Sequence, residues 1–174
     1  GRPGQVRLGH AGDDVAARRG VRPVGGDERD YDVADPIDPN IVYGSGLGGR
    51  VSRWDARTGQ VTDVSPWPLG NYGSRPTTVG HHFNWMNPLV VSRSEPPALY
   101  LGGDVLWKSE DRGDHWAIVS PDLTGKRTGA TNCDGDVTAE AALPCGYGTI
   151  ISIEPSPHSP SEVWVGSDTG ILSI

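Results

Sequence analysis

Residues 104–123 read DVLWKSEDRGDHWAIVSPDL. Two short apolar runs, around Leu106 and Ile118, flank a polar turn from Ser109 to Trp116. Gly113 offers the positive φ that a tight hairpin turn needs and that other residues resist. Ser109 and Asp111 are short polar side chains suited to hydrogen-bonding the turn's own backbone. Trp116 opens the second strand with a large ring suited to packing between neighbouring sheets. A Ser, two Asp and a His within eight residues also look like the makings of a reactive site. Turn chemistry accounts for Ser109, Asp111, Gly113 and Trp116 without one, and it leaves Asp114 and His115 facing solvent.

The same hairpin is preceded by a pattern that recurs. VADPIDPNIVYGSG (33–46), VVSRSEPPALYLGG (90–103) and SIEPSPHSPSEVWVGS (152–167) each hold an apolar strand and a polar turn with Pro. An apolar run ending in an aromatic and a Gly follows. The aligned aromatics are Tyr43, Tyr100 and Trp164, roughly sixty residues apart. After the first copy come RVSRWD, ARTGQ and VTDVSP; after the second come DVLWKS, EDRGDHW and AIVSPDL. Each repeat thus predicts four short strands, A to D, with C and D joined as a hairpin. The third repeat reaches strand C as ILSI. In the first repeat the turn WDARTGQ offers Asp55, Thr58 and Gly59 for the same task, and GSGLGG (44–49) joins strands B and C without leading into a helix.

Four antiparallel strands per repeat with little helix predict an all-β fold, and specifically β-propeller blades. A single blade cannot bury both faces, so neighbours must stack on it. The expected layout has an irregular arm or remnant of a preceding blade over 1–26, a blade over 27–68 and a long D–A loop over 69–87. A blade with the hairpin turn follows over 88–123, then a second long D–A loop over 124–148 and a partial blade over 149–174. Two blades and part of a third, beginning at Gly1 and stopping on GILSI, read as an internal fragment of a longer protein.

Composition agrees. The 174 residues include 25 Gly and 15 Pro, about twice the usual share of these two. Six Trp and five Tyr stand against one Phe and one Met. The formal charge of −7 argues against nonspecific nucleic-acid binding, which needs a basic face. No apolar run approaches the roughly 20 residues of a membrane-spanning helix, so no membrane insertion is expected.

SEDRGDHW matches the Asp-box, or BNR-repeat, pattern Ser/Thr-x-Asp-x-Gly-x-x-Trp, through Ser109, Asp111, Gly113 and Trp116. With VGGDERDYDVADPIDPNIVYG, SRWDARTGQ, FNWMNPLVVS, DVLWKSEDRGDHWAIVSPDLT and SPSEVWVGSDTGILSI, it resembles the sortilin-like, glycosyl-hydrolase-annotated BNR propellers of bacteria over roughly residues 24–174. The resemblance implies WD/YVTN-like repeats and a propeller that binds a glycan or a polypeptide through its D–A loops at the channel mouth. It equally implies a part of a xyloglucan-hydrolase-like, inverting glycosidase, or a non-catalytic scaffold domain. Fold alone does not choose among these. It also implies that the Asp-box turn lies on the outer rim, away from the channel.

The long D–A loops carry the candidate site residues, since loops of that length are usually functional. The first offers Tyr72, Arg75, His81, His82 and Trp85 for ligand binding: a ring stacks while polar groups read hydroxyls. Competing readings make His81 and His82 a solvated pair, Trp85 a hydrophobic plug before strand A, and Asn84 a structural partner. For a glycosidase, two carboxyl groups about 6.5–9.5 Å apart are needed; Asp27, Asp134, Asp136 and Glu140 are the candidates, with Glu28 beside Asp27. Asp168, in GSDTG, reads as a turn former.

Asp134-Gly-Asp136 lacks the other ligands of a calcium loop. No His neighbours Cys133 or Cys145, so zinc is not indicated, and no cofactor motif occurs. The two cysteines leave a disulfide and two free thiols both open; a disulfide would suit a secreted or periplasmic protein. The expected partners are a polysaccharide or polypeptide ligand and the remaining blades.

Overall fold

The structure, a computed structural model, describes residues 29–68, 79–126, 129–131, 133 and 139–174. Within them the chain is almost wholly β, with a 3-10 turn, Leu47–Gly49, and a short helix, α1 (Ala139–Ala142). Three antiparallel sheets follow in chain order. The first holds β1 (Arg29–Ala34), β2 (Ile41–Gly46), β3 (Arg50–Asp55) and β4 (Gln60–Asp63), each hydrogen-bonded to the next. The second repeats the order with β5 (Leu89–Val91), β6 (Leu99–Gly102), β7 (Leu106–Ser109) and β8 (Ala117–Ile118). The third has β9 (Ile150–Pro155), β10 (Val163–Ser167) and β11 (Leu172–Ser173). The described residues form no closed sheet.

Register ties the three sheets to the sequence repeat. Tyr43 pairs with Val33 and Arg53, and Tyr100 pairs with Val90 and Lys108. Trp164 holds the matching second-strand position, opposite Glu154.

Alternation along β6 explains why the whole strand is buried. Side chains of a strand point to opposite faces in turn. Leu99 and Leu101 enter a core with Ile41, Tyr43, Val51, Phe83, Leu89 and Trp107, between the first and second sheets. Ala98 and Tyr100 enter a second core with Leu106, Ile150, Ile153 and Val165, between the second and third sheets. The middle sheet therefore has a neighbour on each face.

The fourth strands end sooner than their apolar runs predict. β8 stops at Ile118 rather than running to Leu123, and β4 stops at Asp63. A serine takes over the ladder in both places. The Leu106 amide donates to Ser120 Oγ at 2.8 Å, and the Val51 amide to Ser65 Oγ at 2.9 Å. Each serine precedes a proline, which has no amide to donate.

Backbone bonds gather the second-to-third-strand turns and the long inter-sheet segments at one end. The Asp104 amide donates to the His82 carbonyl at 2.7 Å, and the Leu123 amide to the Asp104 carbonyl at 3.1 Å. The Ile150 amide donates to the Gly103 carbonyl at 2.8 Å, and the Asp168 amide to the Thr149 carbonyl at 2.9 Å. Asn87 fixes the first sheet here as well: its Nδ2 donates to the Gly46 carbonyl at 2.6 Å, and its carbonyl accepts from Ser45 Oγ at 2.9 Å.

The segment between the second and third sheets is not wholly loop, since α1 lies within it. Cys133 and Cys145 are disulfide-bonded across it, with Cα atoms 5.4 Å apart. A disulfide is compatible with an oxidising compartment. Among the described residues no helix is long and apolar enough to cross a membrane.

Candidate functional site

Three of the sequence candidates for ligand binding lie in the described part of the loop-bearing end: His81, His82 and Trp85. Tyr72 and Arg75 lie outside the described residues, as do Asp27, Asp134 and Asp136. Glu140 stands exposed in the first turn of α1.

His81 is held on three sides. Its Nδ1 lies 3.1 and 3.2 Å from the two carboxylate oxygens of Asp104. Its ring meets Trp67 edge-on at 4.7 Å between centroids and Trp107 at 5.0 Å. Trp67 is itself fixed by donating Nε1 to the Val79 carbonyl at 2.9 Å. The Trp107 indole nitrogen is buried and has no hydrogen-bond acceptor among the described residues. An imidazole whose Nδ1 donates to a carboxylate is fixed in orientation, with Nε2 directed away from that carboxylate. His81 is thus an oriented group in an aromatic setting, not half of a solvated pair.

His82 packs edge-on against Tyr147 at 5.7 Å. Burial lowers its pKa below the ordinary histidine value, and the nearby charges of Asp104 and Asp168 only partly offset this.

Beyond the histidines the aromatic plug is Phe83 rather than Trp85. Phe83 is 3% exposed, and its ring lies where a Cβ on Gly49 or Gly103 would stand, 2.7 and 2.9 Å away. Trp85, two residues on, is 46% exposed. Asn84 sets its backbone: Asn84 Oδ1 accepts from the Trp85 amide at 2.6 Å and from the Met86 amide at 3.4 Å. Asn84 Nδ2 in turn donates to Thr149 Oγ1 at 3.0 Å. Thr149 donates its amide and its hydroxyl to the two oxygens of Asp168, at 2.8 and 3.0 Å. This chain ties the first long segment to the turn between β10 and β11, so Trp85 is displayed on a braced loop.

Among the described residues, Asp104 and Asp168 are carboxylates that the fold brings to this end, and each already serves a partner. Asp104 stands in GGDV where the first repeat has GLGG. That exchange between aligned turns is the sequence signal that marks it. Trp67, Trp107, Tyr147 and Thr149 carry no comparable signal. Among the described residues no group of His, Cys, Asp and Glu is arranged to hold a metal ion.

The residues of SEDRGDHW form a different structure, between β7 and β8. Ser109 Oγ donates to Asp111 Oδ1 and accepts from the Gly113 amide, both at 2.9 Å. Asp111 Oδ1 also accepts from the His115 amide at 2.8 Å, and its Oδ2 meets His115 Nδ1 at 2.6 Å. The His115 amide and imidazole, with Ser109, pull the Asp111 pKa down to about 2.

The turn is also stapled to the first sheet. Arg53 Nη1 donates to the Arg112 carbonyl at 2.8 Å and to Asp114 Oδ1 at 2.9 Å. Arg112, a non-glycine at φ 64°, places its Nε 3.2 Å from the buried Asp35 carboxylate. Asp35 also accepts from the Tyr43 hydroxyl at 2.9 Å and from the Ile37 and Asp38 amides. Asp114 is therefore an ion-pair partner rather than simply a solvated residue. In WDARTGQ, Asp55 accepts from the Arg57 amide at 2.8 Å, and Thr58 from the Gln60 amide at 3.2 Å.

No protein-family model matches the chain, and no curated protein matches it.

Proposed function

We propose that the three sheets are blades of an Asp-box β-propeller and that their loop-bearing end binds a glycan, in an extracytoplasmic setting. Three sheets of like strand order, the middle one covered on both faces, support the blade reading. The observation that carries the ligand reading is Trp85: a large ring, nearly half exposed, on a backbone clamped by Asn84. An aromatic platform with a few placed polar groups is the usual make-up of a small-ligand site. The flat ring covers the apolar face of a sugar, and the oriented imidazole of His81 reads a hydroxyl.

The test is calorimetric titration of the chain with soluble polysaccharides, β-glucans among them, and with unstructured peptides. Binding of a polysaccharide, weakened about tenfold or more by Trp85→Ala, supports the reading. Binding of peptides alone moves the ligand class to polypeptide. Release of reducing sugar from a bound polysaccharide replaces simple binding with hydrolysis. Polysaccharide binding that Trp85→Ala leaves untouched removes this end as the site.

A further inference from the structure

We infer that the cavity of about 90 Å³ between the first and second sheets, beside Arg112, binds the C-terminal residue of a peptide. The terminal carboxylate meets the guanidinium, and a small branched aliphatic side chain fills the cavity. The site lies among the turns that join first to second and third to fourth strands. Antiparallel strand order puts those turns at the opposite end of the sheets from His81 and Trp85. The inference is independent of the glycan reading.

Two of its walls are turns fixed from within. In the first sheet, Asp35 accepts from the Ile37 and Asp38 amides, both at 2.9 Å, which sets Pro36 and Ile37 in place. In the second, the Ala98 amide donates to Ser92 Oγ at 2.9 Å, and Ser94 Oγ donates to the Pro96 carbonyl at 2.9 Å. Those bonds set Pro96 and Pro97, and Val91 adds to the lining. Proline has no amide N–H, so these walls offer a ligand mainly apolar contact. A cavity of about 150 Å³ takes a benzene ring. One of about 90 Å³ takes a branched aliphatic group and excludes an aromatic one.

Arg112 supplies the charge. It belongs to the turn between β7 and β8 and holds φ 64°, a conformation that residues other than glycine resist. Its Nε stands 3.2 Å from the buried Asp35 carboxylate. Asp35 thereby holds the guanidinium at the cavity by one edge. A guanidinium carries its N–H donors in a planar fork. Those on Nη1 and Nη2 have no acceptor among the described residues. A carboxylate accepts from two such donors side by side, the strong form of this pair. Glu110 also lines the cavity, but Lys108 Nζ stands 2.6 Å from its Oε1 and offsets its charge. Ile37 lines the cavity and is still 66% exposed. Apolar surface thus continues outside, where the residue before the last would lie. That continuation favours a chain end over a free acid.

The experiment titrates the full, isotope-labelled chain with acetyl-alanyl-valine and with its C-terminal amide, each at millimolar concentration. The acid should shift the amide resonances of Ile37 and Val91 and the Nε–H resonance of Arg112. The amide, which lacks the charge, should bind at least about tenfold more weakly. Arg112→Gly suits the local φ and removes the guanidinium; it should weaken binding of the acid to the level of the amide. Because that change also takes a partner from Asp35, Ile37→Ser provides a second variant, at an exposed position. It should weaken both peptides by the same factor. Free isovalerate, which has no preceding residue, should bind more weakly than the acid peptide. Equal affinity for acid and amide, or isovalerate binding as tightly as the peptide, would overturn the proposal. So would binding that neither variant weakens, or shifts confined to the residues around His82 and Trp85.

Discussion

The Trp116 indole nitrogen donates to the Val64 carbonyl at 2.7 Å, across the gap between two sheets. The turn geometry alone would not need this bond, because Ser109 and Asp111 already close the turn from within. The bond belongs to stacking. Trp116→Phe keeps most of the ring and removes the donor, leaving the carbonyl without it. An unsatisfied acceptor of this kind costs about 1–3 kcal/mol. The expected outcome is a melting temperature lower by several degrees, with the far-UV circular dichroism unchanged.

Gly113 and Gly59 occupy corresponding turns, at φ 89° and φ 71°, but differ in what surrounds them. Alanine at either position meets the left-handed backbone penalty of about 1–2 kcal/mol. At Gly59 nothing lies within 4 Å of the added Cβ, whereas at Gly113 it would lie 2.9 Å from Val64. Overpacking there adds about 1–3 kcal/mol. Gly113→Ala should therefore destabilise clearly more than Gly59→Ala in urea denaturation. Equal losses would mean that the second sheet's turn does not press on the first.

These two contacts also mark what could be read ahead of the structure. The sheets and their strand order were legible because their signals are local: alternation within five or six residues, turn residues between, and Tyr43, Tyr100 and Trp164 at one repeat position. The His81–Asp104 pair was not. Its members lie 23 residues apart and meet only when one long segment packs on the next sheet's turn. Phe83 and Trp85 show a second limit. Both are aromatic and two residues apart, so pattern alone does not say which enters the core; the space over Gly49 and Gly103 decides it. The Arg112–Asp35 pair was illegible for the same reason as the histidine pair, since it joins turns of different sheets.

His82 predicts a pH dependence. Burial favours its neutral form, so its folded-state pKa lies below the ordinary value of 6.5. The unfolded chain then takes up a proton that the folded one resists. Stability is complete above about pH 6.5 and falls as pH drops below it, towards the folded pKa. Urea denaturation at pH 7.5 and 5.5 should show this loss in the parent chain. His82→Gln, which removes the titration, should lose less between the same two pH values. An unchanged difference would place the titrating group elsewhere.

The Cys133–Cys145 disulfide spans a separation of 12 residues and encloses α1. Cys145 is buried, and its amide donates to the Ala141 carbonyl at 3.1 Å. The Tyr147 amide donates to the Ala142 carbonyl at 3.1 Å, and Tyr147 in turn packs on His82. The crosslink therefore supports the short helix and, through Tyr147, one wall of the candidate site. Closing a loop of this size stabilises a fold by about 3 kcal/mol in the chain-entropy picture. Changing both cysteines to Ser should lower the melting temperature and weaken any ligand binding that depends on His82. The unreduced chain should show no thiol reactive to a disulfide reagent when unfolded, and two after reduction. Free thiols in the oxidised, unfolded chain would contradict the bond directly.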